Sequence, residues 1–290
     1  MFWQFIVNGL ITGILYSLLA IGFALIYNTT RIFHIAAAGI YVFAAYMFYT
    51  FVSIFYFPLI LGAIMAIFIT MGISLLSEVL VYRPLRGKKT NANVSLIASV
   101  GILAILVNIV TLLYGNAPKV VDNSLKAVYS LGEMAILSQS QVLQLIVGLA
   151  VVVAFMFFIR YTSWGKRFRA ISDDEILYST LGYSVTKTRC VAFLLSGAFI
   201  ALSSCLGVYE VGMDPNIGMN FLINALAAMI IGGIGRFGSC VIGGLMLGIL
   251  QSLVLIYFPS SWQNGITFMV LMLFLFFRPQ GVCGYKKRIV

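Results

Sequence analysis

Three groups of residues in this chain have types and spacings that could do chemistry. The first is Asp173-Asp174-Glu175, a run of carboxylates of the kind that can hold a divalent metal. Ser172 precedes Glu175 by three positions, and S-x-x-E is a capping box: the hydroxyl accepts from the Glu175 amide while the Glu175 carboxylate reaches back to the Ser172 amide. Asp173 and Asp174 then lie at the positive end of a helix dipole, where acids are stabilising. Capping explains the acids more cheaply than a metal, so no metal site is expected. The second group is Gly233-Ile234-Gly235-Arg236-Phe237-Gly238, a match to G-x-G-x-x-G. A dinucleotide fingerprint needs a preceding strand and an acid about twenty residues on. Here the flanks are apolar and no acid follows, so the nucleotide reading fails.

The third group is a set of lone polar residues in apolar surroundings. His34, the only histidine, follows Arg31; it is either a proton relay or a helix-end side chain facing the membrane interface. Asn108, Asn224 and Gln251 are either interhelical glue, worth about 0.6 kcal/mol each, or contacts along a solute pathway. The glycines near Asn224 tilt it towards a pathway. The candidate pathway residues are therefore His34, Asn108, Asn224, Gly232 and Gly233. Several absences complete this reading. The sequence has no G-x-x-x-x-G-K-[ST] for ATP, no H-E-x-x-H or G-x-S-x-G for hydrolysis, and no central intramembrane carboxylate for ion coupling. Neither an enzyme nor a cofactor is expected.

The elements that must position these residues are membrane helices. Hydrophobic residues make up 62% of the chain and charged ones only 9%, against roughly 25% in a soluble domain. The expected fold is all-α, a polytopic transmembrane bundle forming one domain over residues 1–290. About 20 apolar residues cross a bilayer, which gives spans at 5–27, 34–55, 58–81, 94–114, 141–159, 190–212 and 262–277. The four cysteines show no C-x-x-C spacing and imply no disulfide framework. Without a basic n-region or a small-residue cleavage site, the N-terminus reads as the first span.

Fourteen of the 18 basic residues fall in three hydrophilic segments. These hold Arg83, Arg86, Lys88 and Lys89; then Arg160, Lys166, Arg167, Arg169, Lys187 and Arg189; then Arg278, Lys286, Lys287 and Arg288. This is the positive-inside pattern, directed at topology and lipid headgroups and not at nucleic acid. It puts 115–140 and the N-terminus outside. Parity then requires 221–257 to leave and return on one face, as a re-entrant half-helix, a glycine turn at Gly232–Gly244 and a full helix, about eight spans in all. Arg236 belongs at that turn, near the inner face. Glu78 and Glu210, near helix ends, are expected to reach water. Gly9/Gly13 and Gly244/Gly248 are G-x-x-x-G pairs suited to close helix approach.

Residues 160–189 form the longest charged insert between apolar runs. After the capping box, Ile176, Leu177, Thr180 and Leu181 continue a helix of about ten residues, and Gly182 is a natural C-cap. Such a helix lies at the membrane surface, either as an ordinary interfacial helix or as a grip for a partner on the water side.

Several ordered motifs carry a resemblance to a known family. They are Asn8-Gly9-Leu10 through Tyr16-Ser17-Leu18-Leu19-Ala20-Ile21-Gly22; Tyr82-Arg83-Pro84-Leu85-Arg86; Gly165 to Ala170 with Leu181-Gly182; Ser196-Gly197-Ala198; Gly232-Gly233-Ile234-Gly235; Gly243-Gly244; and Phe277-Arg278-Pro279-Gln280-Gly281. Together they resemble the permease family of branched-chain amino-acid ABC importers, in particular its LivH-type subunit, over nearly the whole chain. One stretch departs. After Arg31 the family reads V-I-N-F-A-H-G, whereas here His34 stands at the Asn position and Ala37 and Ala38 at the His and Gly positions. That leaves the solute open among apolar amino acids, amides and urea.

The resemblance implies a bacterial inner-membrane subunit working by alternating access. Its partners would be a second, homologous permease, two cytoplasmic ATPases and an external solute-binding protein. Residues 170–182 would be the coupling helix: Ile176, Leu177 and Leu181 supply apolar contacts, Arg167 and Arg169 the rim, Asp173 and Glu175 the helix start, and Gly182 its end. The alternative is a self-contained carrier or channel for a small amphipathic solute, against which the surface helix and the missing central carboxylate both argue.

Overall fold

A computed structural model describes residues 2–87, 92–121, 128–131, 135–278 and 280–283. Lys88, Lys89, Asp122, Lys126, Glu133, Pro279, Lys286, Lys287 and Arg288 lie outside the described residues. The apolar runs become helices because a backbone with no water to bond must satisfy itself within each segment. They are α1 (Phe2–Thr30), α2 (Ala37–Tyr49), α3 (Leu59–Ser77), α4 (Arg83–Gly87), α5 (Ala92–Tyr114), α6 (Gln139–Tyr161), α7 (Ser163–Asp173), α8 (Glu175–Thr180), α9 (Val185–Val211), α10 (Ile217–Gly232), α11 (Ser239–Val254) and α12 (Gln263–Phe277). A two-stranded antiparallel hairpin, β1 (Val128–Leu131) with β2 (Ala135–Ser138), lies in the segment expected outside, with Val128 opposite Ser138.

Among the described residues, seven helical segments are long and apolar enough to cross a membrane. The chain is a multi-pass α-helical membrane protein. Two π-helical turns, Thr50–Ile54 and Glu78–Tyr82, extend α2 and α3. The 221–257 region differs from the expected half-helix and full helix. It consists of two 16-residue helices, α10 and α11, joined through 233–238, so Gly243 and Gly244 sit inside a helix and not in the turn. At 1.5 Å per residue each is about 24 Å long, short of the roughly 30 Å hydrocarbon core.

Contacts divide the chain into two compact units, Met1–Ala24 with Asn123–Phe157 and Ile223–Val290, and Leu25–Asp122 with Phe158–Leu222. In the first unit α1 meets α11 backbone to backbone, as the glycine pairs require. A Cβ on Gly9 would stand 2.8 Å from the Ile249 Cα, and one on Gly13 2.9 Å from the Leu245 Cα. Ser17 Oγ donates to the Gly13 and Val241 carbonyls along the same contact. In the second unit α3 and α9 are the most extensively packed pair, with Gly197 against Met71 and Ser74. Ile26, Ile32, Tyr82 and Phe193 form a buried cluster.

Candidate functional site

The 160–189 insert folds as two helices, not one. Thr162 caps α7, its Oγ1 accepting from the Gly165 amide at 3.1 Å. Gly165, Phe168, Ile171 and Ser172 form the buried face, at i, i+3, i+6 and i+7. Ser172 therefore continues α7 and is not a cap. The cap of α8 is Asp174, in extended backbone, whose Oδ1 accepts from the Ile176 and Leu177 amides at 2.8 and 3.0 Å. Asp173 falls in the last turn of α7, not at the start of α8. Two acceptors two residues apart competed for one helix start, and the buried face of α7 decided between them.

Glu175 also departs from the capping box. Its Oε2 accepts from Arg189 Nη2 at 2.6 Å. A bond to a guanidinium is charge-assisted and stronger than one to an amide. α8 ends as expected: Gly182 adopts φ +82°, the left-handed region that favours glycine, and its amide donates to the Ser179 carbonyl.

The two sides of α8 differ in kind. Tyr178 is buried, its hydroxyl bonded to Thr188 Oγ1 at 2.8 Å and its ring stacked on Tyr183. Ile176, Leu177 and Leu181 are 76%, 58% and 65% exposed. Arg169 is exposed, whereas Arg167 lies over the rings of Trp164 and Tyr183, at 4.7 and 5.5 Å. These contacts fix Arg167 at the border of the apolar tip by cation–π attraction.

Beneath α8, the Arg189 guanidinium also donates from Nε to the Thr29 carbonyl at 3.1 Å, near the end of α1. Arg31 Nη2 donates to the Ser172 carbonyl at 2.6 Å. Arg31 has φ +57°, a conformation that costs a non-glycine residue roughly 1–2 kcal/mol. Sequence reasoning missed this arrangement. In the sequence Arg189 reads only as a flanking basic charge, although its place one turn inside α9, directly before the apolar run from Cys190, marks it as a cation in need of partners.

The other predicted residues do not converge. His34 is fully buried, not facing the interface. Its Nδ1 lies 2.8 Å from the Tyr82 hydroxyl, and its ring is 5.5 and 5.4 Å from Tyr82 and Phe193. Glu78 and Tyr82, four apart, continue the buried face of α3 (Gly62, Ala66, Thr70, Ser74) through the π turn. Glu78 is fully buried and paired with Arg86, not open to water, because an arginine two turns on folds back over it. Asn224 is buried too: its Oδ1 accepts from Gln251 Nε2 at 2.9 Å and from Thr267 Oγ1 at 3.1 Å, tying α10, α11 and α12. Gly232 and Gly233 sit at the end of α10, with Arg236 exposed in the turn that follows and bonded to the Cys283 carbonyl. Asn108 borders a cavity of about 280 Å³ shared with Val42, Leu103, Val107, Asn216 and Met219.

Apolar spans joined by a capped, ion-paired surface loop define the class: a multi-pass helical membrane protein. A family model described as the permease component of branched-chain amino acid transport systems matches residues 5–275, and the chain belongs to this family. It is 28% identical over 294 residues to the high-affinity branched-chain amino acid transport system permease protein BraD of Pseudomonas aeruginosa, covering 97% of this chain and 95% of BraD. It is 27% identical to the corresponding LivH of Escherichia coli K12, covering 98% and 96%. A shorter similarity, 30% over 148 residues, joins it to the autoinducer 2 import system permease protein LsrC of Escherichia coli O9:H4, covering 48% of this chain and 43% of LsrC. PsaBC from Streptococcus pneumoniae, solved in complex with a Fab, shares the fold at a TM-score of 0.52 and 15% identity, covering 94% of this chain and 91% of that one.

Proposed function

We propose that this chain is a permease subunit of an ATP-driven importer of the bacterial inner membrane, carrying branched-chain or other apolar amino acids by alternating access. It works with a second, homologous permease, two cytoplasmic ATPases and an external solute-binding protein, and has no ATPase site of its own. α8 is the coupling helix. The observation that carries this reading is the exposed tip of Ile176, Leu177 and Leu181, held on a polar, capped loop. Three large apolar side chains left uncovered there, where lipid-facing helices need no caps or ion pairs, fit the groove of a water-side partner. Arg167 and Arg169 border the tip, where cations add specificity and association rate more than affinity.

The cavity beside Asn108 is the solute contact that best fits this class. Its walls are aliphatic and its polar groups are two carboxamides, a combination suited to a small solute with an apolar side chain.

The test is a detergent pull-down of the tagged chain from its native host, followed by leucine uptake by the purified assembly in liposomes. Two P-loop ATPases, a second permease and ATP-dependent uptake are the expected result. A chain that purifies alone and moves leucine without ATP would replace the importer reading with that of a self-contained carrier.

A further inference from the structure

We propose that Arg189 and Arg31 are positioning residues that clamp the α7–α8 elbow onto the end of α1, so that a push on α8 reaches the turn between α1 and α2. This rests on α8 being the coupling helix. The Arg189 guanidinium spans two acceptors, the Thr29 carbonyl and the Glu175 carboxylate. Thr29 supplies one of the last four carbonyls of α1, which the helix itself leaves unpaired. It lies at the negative end of the α1 dipole, where a cation is favoured. Glu175 is the first residue of α8. One side chain therefore joins the end of one helix to the start of another.

Arg31 makes the second tie. Its acceptor, the Ser172 carbonyl, belongs to the last turn of α7 and is likewise left unpaired by its own helix. Neither tie competes with a helical hydrogen bond. A left-handed arginine at the end of α1 is a strained choice where glycine is usual, and the bond to Ser172 supplies a reason for it.

The clamp matters because α8 cannot hold its own position. It has six residues, and an isolated helix of that length does not persist in water. It is held by its Asp174 cap, the Tyr178–Thr188 bond, the stacking of Tyr178 on Tyr183 and the Arg189 bridge. On the far side of the clamp, Arg31 leads directly into Ile32, a member of the buried cluster with Ile26, Tyr82 and Phe193, and then to His34. A displacement of the elbow thus meets packed side chains and not slack loop. The two separate acceptors call for a fork of N–H donors, which lysine lacks. Charge alone would be rescued by lysine; the clamp would not.

The experiment has two readouts. Amide exchange is followed by mass spectrometry over 29–36 and 175–181 in the full chain, comparing wild type, Arg189→Lys and the neighbouring Lys187→Gln. Arg189→Lys should speed exchange in both segments at least fivefold, and Lys187→Gln should leave both as they were. If Arg189→Lys leaves 29–36 at the wild-type rate, the clamp is wrong. In the reconstituted importer, radiolabelled leucine taken up per ATP hydrolysed should fall at least fivefold in Arg189→Lys; an unchanged ratio would also overturn the proposal. A wild-type assembly that hydrolyses no ATP would defeat the importer reading instead, and the exchange result would still decide the clamp. Should Arg189→Lys fail to fold, Glu175→Gln removes one half-exposed end of the same bridge and carries both readouts.

Discussion

Asn224, Gln251 and Thr267 make one polar knot among helices, and Thr29, Glu175 and Arg189 make another. The first is neutral and closed. All three side chains are buried and bond to one another. The second is charged and open on one side: Arg189 is buried, Glu175 is half exposed, and three large apolar side chains next to them are uncovered. The first joins three consecutive helices, the second joins α1 to α8 and α9 across most of the chain, and only the second has a member that is itself exposed. A polar residue in an apolar span is thus no guide to function by itself. What separates the two knots is whether one of their own polar members is left open to the surface.

The sharpest way to break this comparison is Leu177→Asp. The side chain is exposed, so folding should be unaffected to within about 0.5 kcal/mol. Uptake by the assembled importer should fall by at least an order of magnitude, as expected for an interface hot spot costing about 2 kcal/mol. Normal assembly with full uptake would remove the distinction between the two knots. Gln251→Leu should show the reverse pattern. Loss of the buried amide costs about 1–2 kcal/mol, seen as a lower melting temperature of the purified chain, while uptake per folded molecule stays near wild type.

Asp174→Ala acts on the open knot alone. Removing the cap costs about 1 kcal/mol, and the effect should appear as faster amide exchange over 176–180 with no change in global melting. Asn108→Ala should be smallest. Its amide nitrogen bonds only its own helix, at the Ala104 carbonyl, and the residue is exposed. Stability should hold, while the KM for leucine rises roughly fivefold, the worth of one ordinary hydrogen bond. An unchanged KM would take the cavity out of the pathway.

Much of the fold was legible because a twenty-residue apolar run has one solution in lipid. The glycine pairs Gly9/Gly13 and Gly244/Gly248 likewise marked faces for close helix approach, since small residues spaced by four leave a groove on one helix face; that these two faces meet each other is seen only in the structure. Gly182 announced the end of α8. Local competition was harder to read. Ser172 and Asp174 are both good caps, and the choice fell to the burial of α7, which depends on what the helix packs against. Glu78 looked solvated because it stands near a helix end, whereas the small-residue face it continues and Arg86, which folds back over it, keep it from water. The short hairpin at 128–138 lacked the alternation that would have marked it. The Arg189–Thr29 tie was out of reach for a different reason: its partners are 160 residues apart, and no local pattern encodes a pairing at that separation.

The most direct measurement places a photo-crosslinking amino acid at Leu177 in the otherwise native chain and irradiates intact membranes of the host. The account predicts an adduct with a P-loop ATPase, identified by mass spectrometry. An intact chain that crosslinks only to lipid, or to nothing, would contradict the claim that α8 is where the driving energy enters.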